Sequence, residues 1–150
     1  MDISRITDLL YISAKPRAEH APHLADLGIR LVISMLFRMP PPELLEPPIV
    51  VLRVPALDSP LYPIPMRTFL HGVSEALPVL GRGDGVLVNC RQGRHRSVAM
   101  TCCILIAQGL SADEAMNLVI ERRTVADPHA FWIEPRIRKF ERLWRTRAAG

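Results

Sequence analysis

The chain has 150 residues, of which 49% are apolar and 23% charged, a balance that buries one core and leaves little room for disorder. No apolar run approaches the roughly 18 residues of a membrane span; the best, Val98 to Ala107, is ten residues long and includes Thr101. The first ten residues, MDISRITDLL, carry charges throughout and lack a secretory apolar stretch, and three cysteines are too few and odd for a disulfide framework. Both features lead us to expect a reducing, cytoplasmic setting.

The net charge is 19 − 15 = +4. Residues 1–75 hold seven basic and eight acidic side chains, and residues 76–150 hold twelve and seven, so the whole excess lies in the second half. All the basic residues except Lys15 and Lys139 are arginine, the side chain suited to bidentate contact with phosphate or carboxylate. Eight aromatics with no basic stripe among them argue against a nucleic-acid partner.

In chain order, Leu9 to Ile12 reads as a short strand and Ala21 to Leu27 as a helix closed by Gly28. Arg30 to Leu36 and Ile49 to Val54 are β-branched apolar runs, the pattern of buried strands. Between them MPPPELLEPP, with five prolines from Pro40 to Pro48, excludes a helix interior or central strand and reads as a surface loop. Met66, Phe69, Leu70, Val73 and Leu77 mark one helix face. The turn GRGDG leads into a strand, Val86 to Val88, and Ser97 to Gln108 forms a nearly all-apolar, buried helix. Ser111 with Glu114 forms a capping box for a helix whose inner face is Ala112, Ala115, Met116, Val119 and Ile120. The last helix turns Ile133, Ile137, Phe140 and Trp144 inward and Arg138, Arg142 and Arg145 outward. Alternating strands and helices imply an α/β fold with a mostly parallel sheet and helices on both faces.

The chemistry is concentrated in VLVNCRQGRHRSVAM, Val86 to Met100. A buried strand delivers Cys90 to a seven-residue loop, and a buried helix starts at Ser97. Successive N–H groups of such a loop can converge on one anion, with the helix N-terminus adding positive potential. Gly93 allows a backbone conformation that other residues resist. The same field favours the Cys90 thiolate, a nucleophile, and Arg96 can hold two phosphate oxygens. The phosphate-binding loop is thus Arg91, Gln92, Gly93, Arg94, His95 and Arg96.

Cys90 with Gly93, Arg96 and Ser97 resembles the signature of the cysteine-dependent protein tyrosine phosphatase superfamily. The motif lies at residue 90, and Asp58 in VLRVPALDSP lies 90 − 58 = 32 residues upstream, which resembles the dual-specificity branch. Ser111 to Ala115, Arg122, Arg123, Phe131 and Phe140 to Trp144 extend the likeness, so that it covers about residues 6 to 144. The resemblance implies a protein tyrosine phosphatase-like fold and a single dual-specificity-phosphatase-like catalytic domain over residues 1–150, with no cofactor and no metal. Cys90 is then the nucleophile, Arg96 the phosphate ligand and Asp58 the general acid and later base. Ser97 assists release of the sulfur. Phosphotyrosyl proteins or peptides are the expected substrates, followed by phosphoserine and phosphothreonine.

Asn89 stands where the family has a histidine that supports the loop; it is expected to support the loop with a similar hydrogen bond but carries no charge, which leaves a slower enzyme or a non-catalytic phosphate-binding relative open. Arg91 and Arg94 resemble loops of the branch that acts on phosphoinositides and other phospholipids, so an anionic phospholipid headgroup is the alternative substrate. Asp58 has the alternative of a turn residue. Cys102 and Cys103 read as core residues, with a resolving thiol as the other reading. Glu19, His20 and His23 have a spacing that could touch a metal but lack a third histidine.

Overall fold

The structure, a computed structural model, describes residues 1–149. Five strands form one sheet: β1 (Ile3–Arg5), β2 (Leu10–Ser13), β3 (Ile29–Ser34), β4 (Val50–Arg53) and β5 (Gly85–Asn89). Their order is β1-β2-β5-β3-β4, with β1 antiparallel to β2 and every other pair parallel. The helices are α1 (Ala21–Asp26), α2 (Met66–Gly81), α3 (Arg96–Ala107), α4 (Ala112–Arg122) and α5 (Glu134–Ala149).

Alternation along the central strands divides the core in two. Leu10 and Ile12 of β2, Leu31 and Ile33 of β3, and Val86 and Val88 of β5 face the layer formed by α2 to α5. Tyr11, Val32 and Leu87 face the other way, onto Leu24 of α1 and Leu44. The expected α/β sheet covered on both faces is observed, with unequal layers. Leu44 explains the proline-rich segment: Pro42–Leu45 is a 3-10 turn pinned by this fully buried leucine.

Gly28, at φ +82°, ends α1 as expected, and the Ser111–Glu114 capping box forms in both directions at 3.0 and 2.9 Å. Three details differ from the sequence reading. β1 had no counterpart, because three half-exposed residues paired on one edge carry too little alternation to read. α2 continues through Pro78 to Gly81, about one turn beyond its apolar stripe. Ile120 is 40% exposed, because α4 turns by about 100° per residue and carries it past the line of Ala112, Ala115, Met116 and Val119.

This topology positions the site. β2, β5, β3 and β4 run parallel, so the loops after β3, β4 and β5 gather at one end of the sheet, where open α/β sheets place their ligands. Central β5 carries Cys90, and α3 starts at Arg96, packed against β5 and β2.

Candidate active site

The loop from Cys90 to Arg96 is defined by where its peptide groups point. The carbonyl of Arg91 accepts from the Lys15 N–H at 3.2 Å, and those of Arg94 and His95 accept from the N–H groups of Asp127 and Ala99 at 3.0 and 2.9 Å. The carbonyls of Gln92 and Gly93 accept from Arg123, Nη2 at 3.0 Å and Nε at 2.7 Å. All five carbonyls are therefore drawn outward. Among the described residues no oxygen accepts from the N–H groups of Arg91 to His95, and that of Arg94 is directed at the Cys90 sulfur. Backbone N–H groups that no oxygen shares, gathered at a helix start, can bind an anion.

Gly93 makes this backbone path possible. Its φ is +64°, and a Cβ there would lie 2.5 Å from Arg123 Nη2 and 2.8 Å from the Ser13 carbonyl carbon and oxygen. The sequence indicated the glycine but not the scaffold behind it. Arg123 is 2% exposed, and besides the two loop carbonyls it binds both carboxylate oxygens of Asp2, at 3.1 and 2.9 Å, and Ser4 Oγ at 3.1 Å. The sequence marked Arg123 only as part of the arginine pair after the Ser111 helix, since its partners lie 30 to 121 residues away.

Cys90 is 3% exposed, with Sγ 3.1 Å from Ser97 Oγ. Burial by itself would hold the thiol neutral. The Ser97 hydroxyl and N–H, the Arg96 charge and the Arg94 N–H outweigh it and leave the thiol below its ordinary range. Burial instead pushes the fully enclosed thiols of Cys102 and Cys103 up, and both lie in the core. Arg96 lines the pocket, with Nη1 tied to the Ala56 carbonyl at 3.0 Å and, more loosely, the Met35 carbonyl at 3.4 Å. Its Nε is buried and makes no hydrogen bond among the described residues.

Asp58, on the loop after β4, reaches the same pocket. Oδ1 accepts from Trp132 Nε1 at 2.8 Å, and Oδ2 lies 2.9 Å from His95 Nδ1. Partial burial opposes its ionisation, but the Trp132 and His95 hydrogen bonds and the charges of His95 and Arg96 bring the carboxyl below its usual range. Of its partners, the sequence places His95 in the phosphate-binding loop without linking it to Asp58, and it gives Trp132 no role. Asn89 departs from expectation: its Nδ2 donates to Ser34 Oγ on neighbouring β3 at 3.4 Å, not to the loop. Arg94 faces Asp127 at 3.9 Å, whereas among the described residues Arg91 has no carboxylate within 4 Å.

Asp58, Cys90, Arg91, Gln92, Arg94, His95 and Arg96 line a cavity of about 290 Å³. A larger one, about 540 Å³, lies beside α1 and is lined by alanine, proline, isoleucine and three glutamates, with no nucleophile. His20, in the stretch with metal-like spacing, accepts the Arg17 N–H at Nδ1, and no group of three metal-ligating side chains occurs among the described residues.

Neither a protein-family model nor a curated protein matches the chain by sequence. Solved structures do match in fold. PTPMT1 superposes with a TM-score of 0.87 at 24% identity over 98% of each chain. A mouse putative dual specificity phosphatase complexed with zinc tungstate gives 0.84 at 27% identity, over 97% of this chain and 90% of that one. Human DUSP28 gives 0.85 at 25%, over 97% and 96%.

The chain has the fold of the small dual-specificity phosphatases. In this phosphatase fold, the loop after the central strand and the loop after β4 bring Cys90, Arg96 and Asp58 to one mouth. No described helix is long and apolar enough to cross a membrane.

Proposed function

We propose that this chain hydrolyses phosphate monoesters through a phosphocysteine, with phosphotyrosyl peptides as preferred substrates and phosphoseryl and phosphothreonyl peptides as further ones. The observation that carries the reading is the loop itself: five carbonyls directed outward and an enclosed thiol held below its ordinary range beneath the unshared N–H groups. That array suits a tetrahedral dianion and a thiolate below it.

The Cys90 sulfur forms its bond to phosphorus as the ester bond opposite breaks, while the loop N–H groups and Arg96 stabilise the equatorial oxygens. The departing oxygen takes a proton from Asp58, which lines the pocket. Water then attacks phosphorus and gives a proton to Asp58, and the sulfur leaves as a thiolate stabilised by Ser97 at 3.1 Å. Charge stabilisation comes from the loop and Arg96, so the reading needs no metal. The test is p-nitrophenyl phosphate hydrolysis under reducing conditions. Wild-type turnover lost in Cys90→Ser supports the reading, whereas equal turnover in both overturns it; no wild-type turnover makes the chain a phosphate-binding module.

One observation favours a second reading, an anionic phospholipid headgroup. A cavity of about 490 Å³ shares Arg91 and Arg96 with the first and adds Lys15, Arg38, Leu36 and Phe37. None of Lys15, Arg38 and Arg91 pairs with a carboxylate among the described residues, and Phe37 and Met39 nearby are 58% and 56% exposed. Unshared cations beside an apolar rim suit a substrate with a second anionic group and a lipid tail. PTPMT1, similar in fold, has been solved with PI(5)P. Phosphoinositide hydrolysis that exceeds phosphopeptide hydrolysis, and that falls in Lys15→Ala/Arg38→Ala, decides for the lipid.

A further inference from the structure

We propose that His95 and Asp58 hold the leaving-group proton as a pair, which makes His95 a positioning and proton-storing partner of the acid. The inference rests on the phosphocysteine reading and deepens it. His95 Nδ1 lies 2.9 Å from Asp58 Oδ2, and the two residues come from different loops, 37 positions apart. The imidazole is only 13% exposed. Trp132 fixes both members: its Nε1 donates to Asp58 Oδ1 at 2.8 Å, and its ring meets the imidazole edge-on at 4.9 Å. On the far side Asp127 Oδ2 lies 3.5 Å from His95 Nε2, an electrostatic neighbour, since that buried nitrogen has no hydrogen-bond partner among the described residues. Both His95 and Asp58 line the cavity that contains Cys90.

The chemistry follows from a difficulty in the simpler account. An aspartate surrounded by Trp132, His95 and Arg96 is biased toward the carboxylate and gives up its proton readily, yet a general acid must still carry one when substrate is bound. An imidazole at hydrogen-bond distance supplies a place to keep it. With one dissociable proton in the pair, imidazolium and carboxylate exchange with neutral imidazole and carboxylic acid. As the ester P–O bond breaks, the proton passes from Nδ1 through the Asp58 carboxyl to the departing oxygen. This leaves a carboxylate beside a neutral imidazole. In the second step the attacking water restores one proton to the pair, its hydroxyl bonds to phosphorus, and the S–P bond breaks.

The alkaline limb of activity then belongs to the pair and not to Asp58 alone. The charged groups that face the imidazole are Asp58 from the loop after β4 and Asp127 from the segment before α5. Arg94 reaches it through Asp127 at 3.9 Å, and Arg96 acts on it through Asp58. Trp132 contributes an uncharged edge.

The test compares His95→Asn, which places an amide N–H near the position of Nδ1 but cannot take up the extra proton, with wild type on two substrates. Phenyl phosphate needs its leaving oxygen protonated, and 2,4-dinitrophenyl phosphate does not. At pH 8 the ratio of kcat/KM for phenyl phosphate to that for dinitrophenyl phosphate should fall about tenfold, a fraction of what a general acid contributes. The alkaline limb for phenyl phosphate should also move to lower pH. In an Asp58→Asn background His95→Asn should change the ratio no further. His95→Gln is made in parallel, and nitrogen-detected NMR of the imidazole provides a readout independent of activity: the wild-type Nδ1 should carry a proton shared with Asp58, a signal lost in Asp58→Asn. Parallel losses on both substrates, an unmoved limb, or an Nδ1 signal unchanged by Asp58→Asn would overturn the pairing. Turnover surviving in Cys90→Ser would instead overturn the phosphocysteine reading beneath it.

Discussion

Replacing Arg123 by methionine isolates what holds the loop with its carbonyls drawn outward. Methionine keeps much of the apolar stem and removes the guanidinium, so the carbonyls of Gln92 and Gly93 lose charged donors at 3.0 and 2.7 Å. Hydrogen bonds to a charged group contribute about 1.5–3 kcal/mol each. The Asp2 side chain is 61% exposed, so it regains water and adds little, while removal of a buried charge offsets part of the loss. The expected cost is about 3–5 kcal/mol, a large part of the roughly 5–15 kcal/mol available to a domain. With a urea slope of about 2 kcal/mol/M, the unfolding midpoint should fall by roughly 2 M. The released peptide planes can also turn, so kcat/KM on p-nitrophenyl phosphate should drop by about a hundredfold, as when an oxyanion donor is lost. Arg123→Lys should fall between, because one ammonium cannot reproduce a fork spanning two carbonyls and a carboxylate. A midpoint shift below about 0.5 M with unaltered kcat/KM would show that the loop holds its shape without Arg123.

Ser97→Ala removes the hydroxyl 3.1 Å from the sulfur, so the thiol should move up and phosphocysteine breakdown should slow about tenfold to a hundredfold; the pH dependence of iodoacetate labelling and burst kinetics check both effects. In the native wild-type protein, iodoacetamide should label Cys90 alone, at a pH below the ordinary thiol range, because burial holds Cys102 and Cys103 as thiols; mass spectrometry showing two or three adducts would contradict this. Asp58→Ala should lower turnover about 10²- to 10⁴-fold with the phosphocysteine burst retained, and unchanged turnover would make Asp58 a turn residue. Tungstate, a tetrahedral oxyanion, should raise the melting temperature, with about 2.7 kcal/mol gained at a hundred times its dissociation constant. Gly93→Ala, whose Cβ would meet the Ser13 backbone at 2.8 Å, should abolish that gain.

What the sequence disclosed divides by distance along the chain. The loop was legible because its requirements are local: a strand before Cys90, a glycine with φ +64° in the middle, and an arginine and a serine at the start of α3. Asp58 was legible only by its distance from Cys90, since nothing in LDSP separates an acid from a turn. The mostly parallel sheet followed from β-branched runs alternating with helices, whereas β1 depended on an edge pairing that no periodicity announces.

The site's control elements were hidden for the opposite reason. Arg123 joins residues 2, 4, 92 and 93, and Trp132 meets Asp58 across 74 positions, so neither role exists until the chain is folded. His95 was legible only as one member of the loop, and its link to Asp58 depends on a carboxylate delivered by another strand. The basic excess in the second half resolves in the same way. Arg123 binds two loop carbonyls, Arg96 receives phosphate on the proposed reading, Arg94 turns to Asp127, and Arg91 has no carboxylate partner among the described residues at the shared wall of two cavities. The same side chain therefore serves as scaffold, ligand, counter-ion and free charge within one loop and its support. Net charge could register their sum, but only the carbonyls and carboxylates around each guanidinium distinguish them.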